Sequence, residues 1–254
     1  METKTILLWF EAPLQSWGYD SKFNRRDTLE FPTKSGVLGL VLCAMGASGE
    51  QKKLLARFSS LKQTVVSFRY VDGKGKLEDR QPFLQDFQMI GSGYDDKDLW
   101  QNMLIPKTAD GSKSVGGGTK LTHRFYLQNA IFAVLLEIPD DLSDVIVESL
   151  KNPAFPIYLG RRCCVPTEFV FQGIFSNEDD AEKAALKKAD DKSDLRNTSE
   201  KYPKEWKLKE EFKVIDGDSE EGDAFTLNDV PIQFGTQKVY KDRRVTKVYT
   251  NNEE

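Results

Sequence analysis

Apolar residues fall in short runs whose spacing predicts several strands. The runs at residues 4–10 (KTILLWF) and 129–139 (NAIFAVLLEIP) are nearly continuous, and the second is typical of a strand in the middle of a sheet. Residues 64–71 (TVVSFRYV) alternate between apolar and polar, as a half-buried strand does. The DGKG sequence at 72–75 then predicts a hairpin turn into a further strand over residues 76–86.

Helical spacing predicts three helices between these strands. The first is capped by Thr33 or Ser35 and carries apolar residues from position 37 to 45, and a second spans residues 51–59. A third covers residues 140–152, with Asp at its start and Lys near its end as the helix dipole favours. Two extended runs follow at 156–173. This order predicts an α+β fold with the split βαβ arrangement of ferredoxin-like and RNA-recognition domains.

Three segments lie outside that pattern. Residues 88–122 are rich in glycine and predict a projecting arm, so the body of the domain is assigned to residues 1–87 and 123–175. Residues 176–230 are strongly acidic and predict a surface insertion with a solvated helix. Residues 231–254 predict a final strand or hairpin, with basic residues on one side, and a tail.

Composition sets limits on location and chemistry. With 39% hydrophobic and 30% charged residues, the chain can bury a core as a soluble protein. It has no apolar run of membrane-spanning length, and its start lacks the pattern of an export signal, so we expect a cytoplasmic protein without a membrane partner. The three cysteines fit neither a disulfide framework nor a zinc site. We expect no metal and no cofactor.

Charge is distributed unevenly along the chain. The net charge is −4, but residues 176–230 contain 17 acidic and 10 basic residues. The rest of the chain therefore carries a net charge of +3. A mildly basic body with an acidic segment is compatible with a nucleic-acid partner, although many ordinary enzymes share it.

Catalytic motifs are scarce. The sequence contains no G-x-S-x-G, P-loop, H-E-x-x-H or dinucleotide-binding glycine motif, and it has a single histidine, His123. Metal-independent RNA cleavage needs a general base and a general acid, and Lys120, His123 and Tyr126 are close enough in sequence to supply them. The alternative is that His123 is a surface or strand-entry residue.

A binding function is favoured by three segments of similar chemistry. A loop interleaves Trp17, Tyr19 and Phe23 with basic residues, a combination suited to bases and phosphates of single-stranded RNA; its basic residues are Lys22, Arg25 and Arg26. Lys34, Ser35 and Gly36 begin a helix, where free N–H groups bind phosphate. Gly160 permits close backbone approach beside Arg161 and Arg162.

Each segment also has a purely structural interpretation. Trp17 could anchor its loop on the core, and the helix could simply be capped. One of the adjacent arginines, Arg161 or Arg162, could form an ion pair with a carboxylate such as Glu168. Which of the two arginines faces an anion stays open from the sequence.

Four motifs carry a family resemblance. PLQSWG at 13–18, FPTKSGVLGL at 31–40, HRFYLQNA at 123–130 and YLGRRxC at 158–164 resemble the CasD family, in order and in spacing. That family provides the crRNA-binding RAMP subunit of type I-E CRISPR Cascade complexes. The resemblance implies a ferredoxin-like domain with a thumb. It also implies that the protein caps the 5′ handle of the crRNA beside backbone and large subunits, in a hetero-oligomer and not a homo-oligomer.

The resemblance assigns roles to individual residues, and the chemistry of the loop adds Lys22, Arg25 and Arg26 to them. RNA-binding residues are expected at Gln15, Trp17, Lys22, Arg25, Arg26, Lys34, Ser35, Gly36, Tyr158, Gly160, Arg161 and Arg162. Thumb residues are expected at Met89, Gly91, Gly117, Lys120, His123 and Arg124. The family gives no role to residues 176–230.

The related type I-C subunit cuts precursor crRNA, whereas type I-E systems leave cutting to a separate endonuclease. This chain lacks the Lys-His dipeptide of the type I-C pattern. We therefore expect a non-catalytic RNA-binding subunit in antiviral defence. A metal-independent endoribonuclease that processes precursor crRNA is the alternative.

Overall fold

A seven-stranded antiparallel sheet forms the centre of the computed structural model, which describes residues 2–19, 21, 24–90, 97–104, 107–112, 120–198 and 205–250. The strands are β1 (Thr3–Glu11), β2 (Leu14–Gln15), β3 (Trp17–Gly18), β4 (Arg25–Arg26), β5 (Thr28–Leu29), β6 (Gln63–Val71), β7 (Leu84–Ile90), β8 (Lys120–Gln128), β9 (Ile131–Pro139), β10 (Phe171–Phe175), β11 (Lys207–Asp216), β12 (Asp223–Gln233) and β13 (Val239–Tyr249). The helices are α1 (Lys34–Ala44), α2 (Lys52–Phe58), α3 (Leu99–Leu104), α4 (Ser143–Lys151) and α5 (Glu178–Asn197), and a 3₁₀ turn (Asp140–Leu142) precedes α4.

The large sheet has the strand order β10-β1-β9-β6-β11-β13-β12, and every neighbouring pair in it is antiparallel. A smaller sheet contains β2, β8 and β4, with β7 paired to β8, and β3 pairs with β5. The α+β class predicted from the sequence is therefore confirmed.

Helices cover both faces of the large sheet. On one face, α1, α2 and α4 pack against Leu8, Phe10 and Val134 in one buried cluster. On the other face, α5 packs against Leu7 and Trp9 in a second cluster. A strand buried on both faces is apolar at nearly every position, which explains the apolar run of β9, interrupted by the half-buried Glu137.

The predictions for α1, α2, α4 and the strands near residues 4–10, 64–71 and 129–139 are confirmed. Thr33 is the cap of α1, because its Oγ1 accepts a hydrogen bond from the Gly36 N–H at 3.1 Å. In the described range, none of the helices is long and apolar enough to cross a membrane.

Two local predictions are wrong. The turn at 72–75 forms, but β6 meets the following segment only in one bridge, between Val71 and Leu77, and β7 pairs with β8 instead. The predicted extended runs over 156–173 contain no strand before residue 171, the chain being irregular up to there, and only β10 is a strand. The chain bends there because Gly160 adopts a φ of +98°.

The acidic stretch is integrated into the fold more closely than the sequence indicates. Helix α5 begins at an Asn177 cap and buries Ala181, Ala185 and Ala189, which are spaced four residues apart, against the sheet. Only the outer face of this helix is solvated. Strands β11 and β12 belong to the large sheet, with β11 directly beside β6.

Regular structure extends into the predicted arm. β7 and β8 form an antiparallel ribbon with exposed Phe87, Met89 and Leu121. Helix α3 exposes further apolar side chains, including Trp100. The segment predicted as an arm therefore contains regular structure in β7, α3 and the start of β8. Gly91 and Gly117 lie outside the described residues.

Candidate nucleic-acid interface

A surface cleft lies between the start of α1, the turn at residues 156–162 and the hairpin formed by β12 and β13. It consists of two adjoining hollows of about 480 and about 620 Å³. These volumes are in the range of ordinary ligand sites. Both hollows are lined by Gly18, Ser35, Lys238 and Tyr240.

Three exposed cations line the cleft: Arg162 in the first hollow, Arg26 in the second and Lys238 in both. Within the described ranges, none of these three side chains is ion-paired with a carboxylate. Asp229 is the one carboxylate among the residues lining the two hollows in that part of the chain, and it is already bound by Arg243. The cleft therefore presents positive charge to an external anion.

Aromatic side chains accompany these cations. Tyr158 lines the first hollow, Tyr19 lines the second, and Tyr240 lines both. The Tyr240 hydroxyl is protonated at neutral pH, as an ordinary tyrosine is, and burial raises its pKa further, so it can donate a hydrogen bond. Flat rings beside cations suit the bases and phosphates of a single-stranded nucleic acid.

Gly160 lets the 156–162 turn contact the loop after β1. The Ser16 N–H donates to the Leu159 carbonyl at 3.1 Å, and a Cβ on Gly160 would lie 1.8 Å from the Ser16 carbonyl oxygen. The close backbone approach predicted for Gly160 exists. Its partner, however, is the protein's own backbone and not an external anion, so Gly160 shapes the cleft wall.

Arg161 and Arg162 have different roles. Arg161 lies over the Tyr126 ring at 4.8 Å and donates to the Arg26 carbonyl at 3.1 Å, which fastens the turn to the smaller sheet. Arg162 is exposed in the cleft. The alternative in which one of these arginines pairs with Glu168 does not hold, because Glu168 pairs with lysines of α5.

Trp17 and Gln15 are core residues. Trp17 is 1% exposed, stacks on Phe10 at 5.2 Å and donates from Nε1 to Gln15 Oε1 at 3.1 Å. Gln15 is fully buried and donates to the Ala130 carbonyl at 2.7 Å. Trp17 forms part of the floor of the first hollow, but neither side chain is free to bind RNA. The burial of both side chains opposes their predicted RNA contacts and supports the loop-anchor interpretation of Trp17.

Lys34 is also buried, contrary to its predicted contact with phosphate. Its side chain is 2% exposed, and its Nζ donates to the Leu61 carbonyl. Burial lowers the pKa of Lys34, although Asp216, 3.8 Å away, opposes this shift. A lysine in this position cannot reach an external ligand.

The start of α1 is occupied by protein groups. The Lys34 N–H donates to Asp229 Oδ2 at 2.7 Å, and the Gly36 N–H donates to Thr33. The predicted phosphate site on these two N–H groups is therefore wrong. Ser35 and Gly36 still line the cleft. A Cβ on Gly36 would lie 2.9 Å from the Trp17 ring, so this glycine is needed for packing.

The remaining predicted contacts divide between the cleft and other surfaces. Arg25 binds both oxygens of Asp27 at 2.9 Å and lies over the Phe125 ring at 4.6 Å, so its guanidinium is already engaged. Arg26 is exposed in the cleft. Lys22 lies outside the described residues.

Most predicted thumb residues lie on the β7–β8 ribbon. His123 Nδ1 is 2.9 Å from Gln85 Nε2, and its ring is 5.0 Å from the Phe87 ring. Arg124 lies opposite Asp86, and Met89 lies opposite Leu121. Lys120 begins β8, and its side chain lies outside the described residues.

Lys238 and Tyr240 were not among the site residues expected from the sequence. The basic character of residues 237–250 was the available signal. It could not place these two side chains in a cleft, because the other walls come from residues 16–36 and 156–162. Tertiary contacts bring these distant segments together, among them the hydrogen bonds from the Lys34 N–H to Asp229 and from the Ser16 N–H to the Leu159 carbonyl.

Comparison with known proteins gives consistent matches. A family model described as CRISPR-associated protein (Cas_Cas5) matches residues 5–246. The CRISPR system Cascade subunit CasD of Escherichia coli (strain K12) is 29% identical over 188 residues, which are 71% of this chain and 75% of the relative. The matched range includes the acidic stretch at residues 176–230, to which the resemblance of the four motifs assigned no role.

Two solved structures are similar. A chain of a "CRISPR RNA-guided surveillance complex" has a TM-score of 0.68 at 26% identity, covering 97% of this chain and 90% of that one. A "Crystal structure of Cas protein" has a TM-score of 0.53 at 23% identity, covering 96% and 94%. The second similarity concerns the fold alone.

Proposed function

The chain belongs to the CRISPR-associated Cas5 protein family, and from that premise we propose that it binds the 5′ handle of a crRNA as a cytoplasmic subunit of a type I-E Cascade surveillance complex. The observation that carries this proposal is the cleft, where Arg26, Arg162 and Lys238 are exposed beside tyrosine rings. Phosphates bind the cations, and bases stack on the rings. The similar proteins named as a Cascade subunit and as a surveillance complex support the assembly.

The strand order supports a ferredoxin-like assignment for the first part of the chain. Strands β1, β6, β9 and β10 occur in that order in the sequence and lie side by side as β10-β1-β9-β6. Helices α1 and α4 lie between the first and second and between the third and fourth of these strands, as in a split βαβ unit. We assign the β7–β8 ribbon and α3 to the thumb, whose exposed apolar side chains would contact RNA bases or a neighbouring subunit.

We assign the subunit a binding role without RNA cleavage. Of the three residues considered for acid–base chemistry, Tyr126 is 4% exposed beneath Arg161, and His123 contacts Gln85 and Phe87. A general acid and a general base must both reach the reacting atoms, and a buried tyrosine cannot reach them.

Replacing Arg162 and Lys238 by alanine is expected to weaken binding of a single-stranded repeat-derived handle RNA. Each charge-assisted phosphate interaction is worth roughly a factor of ten in affinity, and the slope of log K against log salt should fall by about 0.7 for each phosphate that is no longer neutralised. Fluorescence anisotropy at several salt concentrations measures both quantities, and gel analysis of the recovered RNA detects cleavage.

The matched control is Lys187→Ala, because Lys187 is an exposed lysine on α5, on the opposite face of the sheet. It should leave the affinity unchanged. If Arg162→Ala and Lys238→Ala also leave affinity and slope unchanged, the cleft does not bind RNA. Metal-independent cutting of the RNA that is abolished in His123→Ala would favour the endoribonuclease alternative.

Cys43 provides an independent probe of the cleft. It lines the first hollow and is partly exposed, whereas Cys164 is buried and its pKa is raised to about 12 by that burial. In a Cys163→Ser variant, Cys43 should therefore be the main site of alkylation. We expect saturating handle RNA to slow its alkylation severalfold, measured by mass spectrometry, and equal rates with and without RNA would place the RNA elsewhere.

A further inference from the structure

A buried ionic cluster joins two walls of the cleft. Arg243 donates from Nε to Asp229 Oδ1 at 2.7 Å and from Nη2 to Asp229 Oδ2 at 2.9 Å, and it also binds Asp216. Asp229 Oδ2 accepts the Lys34 N–H at 2.7 Å. The Asp229 side chain is 3% exposed and that of Arg243 is 9% exposed, so water screens the cluster little.

This cluster connects elements that are distant in sequence. Asp229 belongs to β12 and Arg243 to β13, the two strands of the hairpin that carries Lys238 and Tyr240. Lys34 begins α1, which supplies Ser35 and Gly36 to the facing wall. Asp229 is therefore bonded to both walls at once.

The hairpin has a second attachment at its tip. The Phe234 N–H donates to the Glu50 carbonyl at 3.0 Å, near the start of α2. Loss of the ionic cluster would thus leave the hairpin attached at its tip. The base of the hairpin is held in the large sheet, where β13 pairs with β11 from Val245 to Tyr249. Asp229 and Arg243 lie between these two attachments, in a part of the hairpin that pairs with no other strand among the described residues. Without the ionic cluster, this part of the hairpin and the adjacent Tyr240 would be free to shift relative to α1.

We propose that Asp229, held by Arg243, is a positioning residue that sets the distance between the hairpin wall and α1, and so places Lys238 and Tyr240 for RNA. This inference rests on the proposed RNA-binding function of the cleft. Arg162 lies on the 156–162 turn, which is not part of the hairpin, so its contribution does not depend on Asp229. The two cations should therefore respond differently to loss of the Asp229 bonds.

A double-mutant cycle on the full-length protein tests the proposal, with handle RNA as the probe. Asp229→Asn removes the charge that Arg243 binds and should lower RNA affinity roughly tenfold, because Lys238 is no longer in place. In the Asp229→Asn background, Lys238→Ala should lower RNA affinity less than about twofold, whereas Arg162→Ala should lower it as much as in the unchanged protein.

Asp218→Asn is the matched control, because it breaks an Asp–Arg pair near the same hairpin, where Arg244 Nη2 lies 2.8 Å from an exposed carboxylate. It should leave RNA affinity and both single effects unchanged. If Asp229→Asn does not fold, Arg243→Lys replaces it in the cycle, because lysine cannot make the two-pronged bond to Asp229.

The outcomes separate this inference from the function on which it rests. If Lys238→Ala and Arg162→Ala have no effect in the otherwise unchanged protein, the proposed function fails. If both have effects but Lys238→Ala costs the same with and without Asp229→Asn, then Asp229 has only a structural role and the positioning proposal is overturned.

Discussion

Substitution of Gly160 by alanine should destabilise the protein by about 3 kcal/mol or more, because the new side chain adds a steric clash to backbone strain. Gly160 has a φ of +98°, where an alanine costs about 1 kcal/mol by itself. The added Cβ would lie 1.8 Å from the Ser16 carbonyl oxygen, a backbone atom that cannot rotate away. The 156–162 turn would therefore have to separate from Ser16. Denaturant unfolding, followed by intrinsic tryptophan fluorescence, measures the loss.

Gly75→Ala is the matched control for this prediction. Gly75 has a φ of +83°, and an added Cβ there would have no heavy atom within 4 Å. The free energy of unfolding of this variant should fall by only about 1 kcal/mol, the part that is due to backbone conformation. Equal losses in the two variants would mean that contact with Ser16 does not constrain the turn.

The central elements of the fold are predictable because their pattern is local. Burial of both sheet faces makes β9 apolar at every position except Glu137, and a nearly continuous apolar run behind a threonine cap specifies α1. Strand neighbours are less predictable. β13 lies between β11 and β12, and β7 pairs with β8 across a segment of about thirty residues.

The sequence indicated a site of aromatic and basic side chains, but only some of the residues that it named lie in the cleft. Aromatic and basic residues at 15–36 indicated RNA contacts, yet Trp17 and Lys34 are buried. Burial of Lys34 depends on Leu61 and Asp216, which are distant in sequence, so composition of the loop cannot reveal it. Arg26 and Arg162 remain in the cleft, and Lys238 joins them because the β12–β13 hairpin is bonded to the start of α1 by contacts between residues that are distant in sequence.

The acidic stretch illustrates how composition can mislead. Charged residues predominate in α5, so its overall character predicts a solvated helix. The informative feature is the spacing of Ala181, Ala185 and Ala189, which forms a narrow apolar stripe along one side. Small side chains let the helix approach the sheet closely and bury Leu7 and Trp9.

Substitution of Ala185 by glutamate should therefore destabilise the protein by about 3 to 5 kcal/mol, the usual cost of an uncompensated buried charge. Ala185 is fully buried in the cluster that contains Leu7, Trp9 and Leu135. A carboxylate there would lose its hydration among apolar side chains and would also need space that the packed interface lacks. Thermal and denaturant unfolding measure the change.

The adjacent substitution Leu186→Glu separates the effect of burial from the effect of added negative charge on the helix. Leu186 is 39% exposed, so its glutamate reaches water, and the loss should stay within about 1 kcal/mol. Both variants have the same net charge and alter the same turn of α5. If Ala185→Glu were as stable as Leu186→Glu, α5 would not be a covering layer of the sheet. The acidic stretch would then be the surface insertion that its composition predicts.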